Sequence, residues 1–321
     1  MDQSATEGIV PVSIEANRNL VKRYDDEILN RRNYDALPGL VTDDLVDPFA
    51  PPGAPGGPEA ARQALEMMVG GIPDMKVESR DIIVEGDLVG FRSTLTGTHE
   101  GFLFGMPPTH GPLNIESVQL WRLENGKLAE RWVRSDMSGF GPPPGAGAPS
   151  ETPPQWGNQP APQPHPKDPA PDPEANKALV VEYCAEVINK HDRLALPTYF
   201  SADAIDHSAP PGFPQGIEGA AMLFGMYWGA FPTIRYEVDN MIAEGDRVVI
   251  RATLNGTHDG PFMGLPATGK TISVGLLEML RCADGKIVEH WGGIQDLALF
   301  QQLGIVPGAM PAGQSAGAGQ G

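Results

Sequence analysis

The sequence predicts two tandem α+β domains, and three observations carry that prediction. The chain repeats itself: "EGDLVGFRSTLTGTHEG" at 85–101 returns as "EGDRVVIRATLNGTHDG" at 244–260, 159 residues later. A proline-dense segment, "GPPPGAGAPSETPPQWGNQPAPQPHPKDPAPDP" at 141–173, separates the copies. Within each copy, residues at helical spacing come first and runs at strand spacing follow.

The offset of 159 also pairs Asn17 with Asn176, Tyr24 with Tyr183, Arg122 with Arg281 and Trp132 with Trp291, and needs no gap from 17 to 132. A period of that length is a whole domain, not a solenoid unit. The expected organisation is a disordered N-terminus at 1–14, domains at 15–140 and 174–304, a linker at 141–173 and a Gly/Ala tail at 305–321. The linker is too poor in aliphatic residues to build a core. In polyproline II form, at ~3.1 Å per residue, it spans about 100 Å and tethers the domains without setting their separation.

The elements follow in order. Residues 17–32 and 176–190 read as helix; Leu179, Val180, Tyr183 and Val187 stand at i, i+1, i+4 and i+8. A second helix covers 58–70 and 217–230. Strand-like runs occupy 75–85, 87–98, 113–124 and 127–137, with counterparts 159 later. "ENG" before Lys127 and "ADG" before Lys286 are hairpin signals. The result is an antiparallel meander with helices on one face.

Composition excludes several functions. The formal net charge is −18 over 321 residues, which opposes binding to nucleic acid or to anionic membrane surfaces. No apolar run approaches the ~20 residues of a membrane-spanning helix. The start, "MDQSATEGIVPVSIEANRN", lacks a basic segment followed by an apolar one. Cys184 and Cys282 form no CxxC and read as buried thiols. These features predict a cytoplasmic protein. The seven histidines form no HxH or HExxH, no GxSxG occurs and no glycine loop cradles phosphate, so no metal or organic cofactor is expected.

Several motifs together resemble one family. They are "D-x-x-A-P-P-G", "EGD-x-V-x-x-R", "GTH-x-G-x-x-x-G-x-P-x-T" and "QQLG"; "GTHDGPFMGLPATGK" and "ADGKIVEHWGGIQDLALFQQLG" in the second copy carry the match furthest. They resemble the SnoaL-like polyketide (ester) cyclases of the nuclear-transport-factor-2-like superfamily. The resemblance implies a cone-shaped α+β barrel around an apolar pocket. It implies cofactor-independent ring closure by intramolecular aldol condensation of a small hydrophobic carbonyl substrate. It also implies an aspartate acid/base four residues after the last-strand tryptophan, and sheet-to-sheet pairing of the two domains as an intramolecular pseudo-dimer.

The candidate site residues follow from this pattern. In "ERWVRSD", Asp136 lies four past Trp132. Alternation puts Trp132, Arg134 and Asp136 on one strand face, expected to be the pocket face. There Asp136 would act as acid/base, with Arg134 or Arg92 holding the oxyanion. In "EHWGGIQD" the offset pairs Asp136 with Gln295, so Asp296 is expected to face away unless a bulge at Gly292-Gly293 returns it. The first domain is therefore the expected active one. His99 and His258, in "GTH", are acid/base candidates but read first as strand-end histidines bonding backbone. Arg251 is the counterpart of Arg92; either arginine could instead make an ion pair on the outer face. His207 matches a family histidine where the first copy has Pro48, and Gln119 and Glu278 are polar strand positions without an assigned role. The competing readings are a tandem module that binds an apolar ligand without turnover, and epoxide hydrolysis at Asp136 beside Arg134.

Overall fold

The computed structural model describes residues 13–50, 53–103, 106–136, 172–209 and 213–304. The expected N-terminal extension through residue 12, the linker through residue 171 and the tail at 305–321 lie outside them.

Each domain opens with a helix, α1 (Ile14–Arg23) or α3 (Pro173–Tyr183), and both starts are capped. Ser13 Oγ accepts from the Ala16 amide, and Asp172 Oδ1 accepts from the amides of Glu174 and Ala175. The single helix expected over 17–32 in fact widens into a π-helical turn at Tyr24–Asn30, and again at Cys184–Ile188. A short α4 (Leu196–Tyr199) precedes the first strand of the second domain.

The long helices α2 (Gly57–Gly71) and α5 (Gly216–Ala230) start on glycines at positive φ, +77° and +73°. A Cβ at either would lie 2.3 or 2.2 Å from the carbonyl oxygen of Asp43 or Ala202. Only glycine permits both the conformation and that approach.

Each sheet has five strands. The first runs β1 (Val41–Val46), β5 (Lys127–Ser135), β4 (Pro112–Glu124), β3 (Leu88–Thr98), β2 (Lys76–Glu85). The second repeats it as β6 (Phe200–Asp206), β10 (Lys286–Ile294), β9 (Thr271–Ala283), β8 (Arg247–Thr257), β7 (Arg235–Glu244). The four expected strands form the antiparallel meander. The fifth, β1 or β6, pairs in parallel with the last strand and makes the sheet mixed. "VTDDLV" carries too many acids to read as a strand. The hairpins at Asn125-Gly126 and Asp284-Gly285 turn with φ of 51° and 74°, and 51° and 68°, the double-positive pattern of type I′.

The inner face of each sheet packs on its own helices. In the first domain Tyr24, Ile28, Ala61, Leu65, Phe91 and Trp121 meet there. The outer faces meet each other. Ile83, Val118 and Leu120 form one buried cluster with Ile242, Val249, Leu277, Met279 and Trp291. Reciprocal polar contacts frame it. Glu244 accepts from Arg18 at 2.6 Å and from the Val84 amide at 2.8 Å. Glu85 accepts from Lys177 at 2.7 Å and from the Ala243 amide at 2.9 Å. Among the described residues, no helix is long and apolar enough to cross a membrane.

Candidate functional site

The register of β10 decides which of its side chains face inward. Trp291 pairs with Met279 and lies in the inter-domain cluster, so the outer face holds Glu289 and Trp291. His290 pairs with Leu280, an inner-core residue, so His290 and Glu278 point toward the helices. On the parallel edge His290 registers with Asp206.

These three side chains form one relay. His290 Nδ1 lies 2.8 Å from Asp206 Oδ1, and His290 Nε2 lies 3.3 Å from Glu278 Oε1. Burial alone would lower the imidazole pKa, but the two carboxylates outweigh it and push His290 up to about 10. Asp206 is driven up by burial and, more strongly, down by His290 and the Ser208 amide, and ends below the usual carboxylate range. Burial, reinforced by the Glu278 charge, raises Tyr183 and Tyr236 well above the usual phenol range. It raises Cys184 to about 12, so this thiol is no nucleophile. His290 is thus an imidazolium with both nitrogens engaged. Among the described residues no cluster is arranged to hold a metal ion.

The relay is partly accessible at Asp206 and His290, while Glu278 is buried. The His290, Asp206 and Glu278 side chains keep 17%, 25% and 11% of their surface accessible. On the same inner core α5 buries only Gly216, Gly219 and Ala230 and packs half-buried Phe224 and Trp228, stacked at 5.4 Å, against the cluster that holds Leu280. The first domain differs at the same positions. Asp47 and Arg131 replace Asp206 and His290, Gln119 replaces Glu278, and Trp121 replaces Leu280. Trp121 fills the interior, with Phe91 and Tyr24 edge-on at 4.9 and 5.2 Å. The Asp47 side chain is sealed from solvent while Arg131 binds it at 2.9 Å.

The residues singled out from the sequence fall elsewhere. Trp132 and Arg134 share a strand face, the outer one, and Asp136 follows just past the end of β5. Around Trp132 the second sheet packs on that face. Trp132 lies under Arg251, 4.4 Å from its ring centre, and Arg134 Nε donates to the Ile294 carbonyl at 3.3 Å. Asp136, half-buried at the strand end, donates its amide to the Glu116 carbonyl at 2.8 Å. Arg92 binds Asp81 and lies 4.1 Å from the Trp291 ring, and Arg251 binds Asn240; these are outer-face partners rather than oxyanion holders. Gln295 also faces the other domain, with Nε2 3.4 Å from the Val133 carbonyl. Asp296 starts α6 (Asp296–Leu303), and its side chain lies outside the described part; Gly292 and Gly293 do sit at positive φ.

His99 and His258 are fully buried. Their Nδ1 atoms take the amides of Thr109 and Thr268, each at 3.3 Å, as strand-end histidines that tie down the following loop. His207 stacks on Trp291 on the outer face. The sequence pattern singles out neither Asp206 nor His290, and it assigns Glu278 no role. Each lies next to, or across from, a residue that drew attention.

The relay makes a stability prediction. A raised His290 pKa stabilises the fold fully below the unfolded value of 6.5, and this contribution fades as pH rises through about 10. The lowered Asp206 pKa stabilises above the unfolded value of 3.8 and is lost as pH falls through its folded value. Thermal melts should show the second domain most stable between about pH 4 and 6.5 and weakening toward pH 10. His290→Gln should flatten the alkaline limb.

Comparison with known proteins gives the following. The family described as SnoaL-like polyketide cyclase matches residues 19–141 and 178–303. Aklanonic acid methyl ester cyclase DauD of Streptomyces sp. (strain C5) is 28% identical over 109 residues, 34% of this chain and 66% of that protein. The chain therefore spans just under two thirds of that relative. Aklanonic acid methyl ester cyclase DnrD of Streptomyces peucetius is 28% identical over 106 residues, 33% of this chain and 72% of that protein. Among solved structures, TsrD from Streptomyces laurentii is 28% identical with a TM-score of 0.39, covering 42% of this chain and 98% of that one.

Proposed function

Because the chain belongs to the SnoaL-like polyketide cyclase family, we propose that it closes a ring in a polyketide-like carbonyl ester by an intramolecular aldol step on the inner face of its second domain. The observation that carries this reading is the inner-face Asp206–His290–Glu278 relay, partly accessible at Asp206 and His290, beside the Leu280 core on which Phe224 and Trp228 of α5 pack. Two relatives are named for a methyl ester of a polyketide acid, which suggests the substrate class.

The step balances without an added reagent. Glu278 takes a proton from a carbon flanked by carbonyls. The resulting enolate carbon attacks a second carbonyl, forming the C–C bond and leaving an alkoxide. His290 gives its Nε2 proton to the alkoxide and recovers one from Glu278 across 3.3 Å. Product and substrate are isomers. The imidazolium also stabilises the developing oxyanion in a site of low polarity, where such a charge acts strongly. Asp206 holds the ring and keeps it charged. The two domains act as an intramolecular pseudo-dimer in which the first, its interior filled by Trp121, serves as scaffold.

A second reading seats the acid/base at Asp136, which keeps the family spacing from Trp132. Ring closure assayed on aklanonic acid methyl ester with His290→Gln and Asp136→Asn separates the two. Loss only in His290→Gln supports the inner-face site, and loss only in Asp136→Asn transfers the chemistry to the first domain. Binding of aromatic ligands without turnover in the wild type would make the chain a binding module.

A further inference from the structure

The acid/base edge of the second domain is braced from outside, and the brace passes through the first domain. β6 and β10 meet as a parallel edge pair whose register shifts between Ile287 and Glu289, just before His290 and Asp206. Such an edge has few ladder bonds to hold it. Past its end the His207 amide donates to the His290 carbonyl at 2.9 Å. The next constraint lies on the outer face. The His207 ring lies flat on Trp291, 4.6 Å between centres and 6° from parallel, and its Nε2 is 2.9 Å from Glu289 Oε2. Glu289 is sealed from solvent and also binds Arg281. Burial raises its pKa, and His207 and Arg281 bring it below the usual range.

Asp206 at the end of β6 and His207 just past it therefore face His290-Trp291 on β10 twice, as an ion pair inside and a ring stack outside. The first domain completes the stack. The Arg92 guanidinium lies 4.1 Å from the Trp291 ring centre, is held by Asp81 through Nε at 2.8 Å, and Asp81 binds Arg247 of the second domain at 2.9 Å. Burial raises the Asp81 pKa, but Arg92 and Arg247 outweigh it and keep the carboxylate ionised. The mirror arrangement stops short: Arg251 covers Trp132, but Pro48 stands where His207 would, with neither an aromatic ring to stack nor an amide hydrogen to give.

We infer that Arg92 of the first domain is a positioning residue for the second domain's relay, acting through Trp291 and His207 to hold His290 against Asp206 and Glu278. This rests on the reading that the relay is the reactive site. The test, however, reads geometry and not turnover, so the two fail separately. The groups facing His290 are Asp206 on β6 and Glu278 on β9, with Tyr183 of α3 electrostatically coupled to both. The full chain, labelled with ¹³C,¹⁵N-histidine and assigned through His290→Gln, is titrated by NMR. Arg92→Ala should lower the His290 pKa by about one unit or more as the carboxylates draw away. Arg92→Lys, still a cation over Trp291, should restore at least half of that shift. His207→Phe, which keeps a ring on Trp291 but gives up Glu289, should lower it as well. Lys177→Met breaks a different inter-domain contact, at Glu85, and should leave it unmoved. An unchanged His290 in Arg92→Ala and His207→Phe, or an equal shift in Lys177→Met, overturns the proposal.

Discussion

Glu278→Gln is expected to lower turnover of a cyclisable polyketide ester by about 10²–10⁴-fold, the usual contribution of a positioned general base. The substitution keeps size and a hydrogen-bonding oxygen, so the relay geometry and aromatic wall persist and KM should change little. A glutamine cannot take the carbon-bound proton. His290 would meanwhile lose one of the two carboxylates that raise its pKa, so its imidazole should titrate lower. Glu278→Gln and His290→Gln act on one proton path, and the double variant should be hardly slower than the worse single one. Single-turnover kinetics with wild type and both variants read this directly. Unchanged turnover in Glu278→Gln would remove the inner-face site from consideration, whatever His290 does.

Much of the fold was legible because a repeat shows itself without structural knowledge. The 159-residue offset, the Asn-Gly and Asp-Gly turns and the second helix of each copy all hold in the structure. The site was harder to read, for a definite physical reason. Alternation along β5 and β10 sorted residues correctly into two faces: Trp132 and Arg134 belong together, and so do Glu289 and Trp291. What alternation cannot say is which face looks inward. In an ordinary half-buried sheet the apolar face is the inner one. Here the outer face is also buried, because the second sheet covers it, and Trp132 and Trp291 mark that contact. Reading the Trp132 face as the pocket face carries Arg134 and Asp136 with it. In the second domain the partly accessible charges His290 and Asp206 are the chain neighbours of Trp291 and His207. β1 and β6, which supply Asp206 and lead into Asp47, escaped notice because their acids hide the strand pattern.

In the first domain the same positions predict a loss of stability rather than of activity. Arg131→Met removes the guanidinium from Asp47, whose side chain is sealed from water and takes both Nε and Nη2 of that arginine. The carboxylate then keeps the Phe49 amide, 2.9 Å away, with Tyr24, itself pushed up to about 12 by burial, beside it. Breaking a buried pair from one side costs about 3–5 kcal/mol. The first domain should therefore melt well below the wild type. Arg131→Met combined with Asp47→Leu removes both charges and should recover most of the loss, since apolar replacement of a whole buried pair is often neutral or stabilising. Urea titrations of the two singles and the double give the coupling, and additive losses would show that the pair is not the sealed unit its geometry indicates. Because Val118 and Leu120 of the first sheet pack on Leu277 and Met279 of the second, opening the first domain uncovers the second's outer face. The Arg131→Met transition should therefore carry the second domain's melting down with it, and the double variant should raise both together.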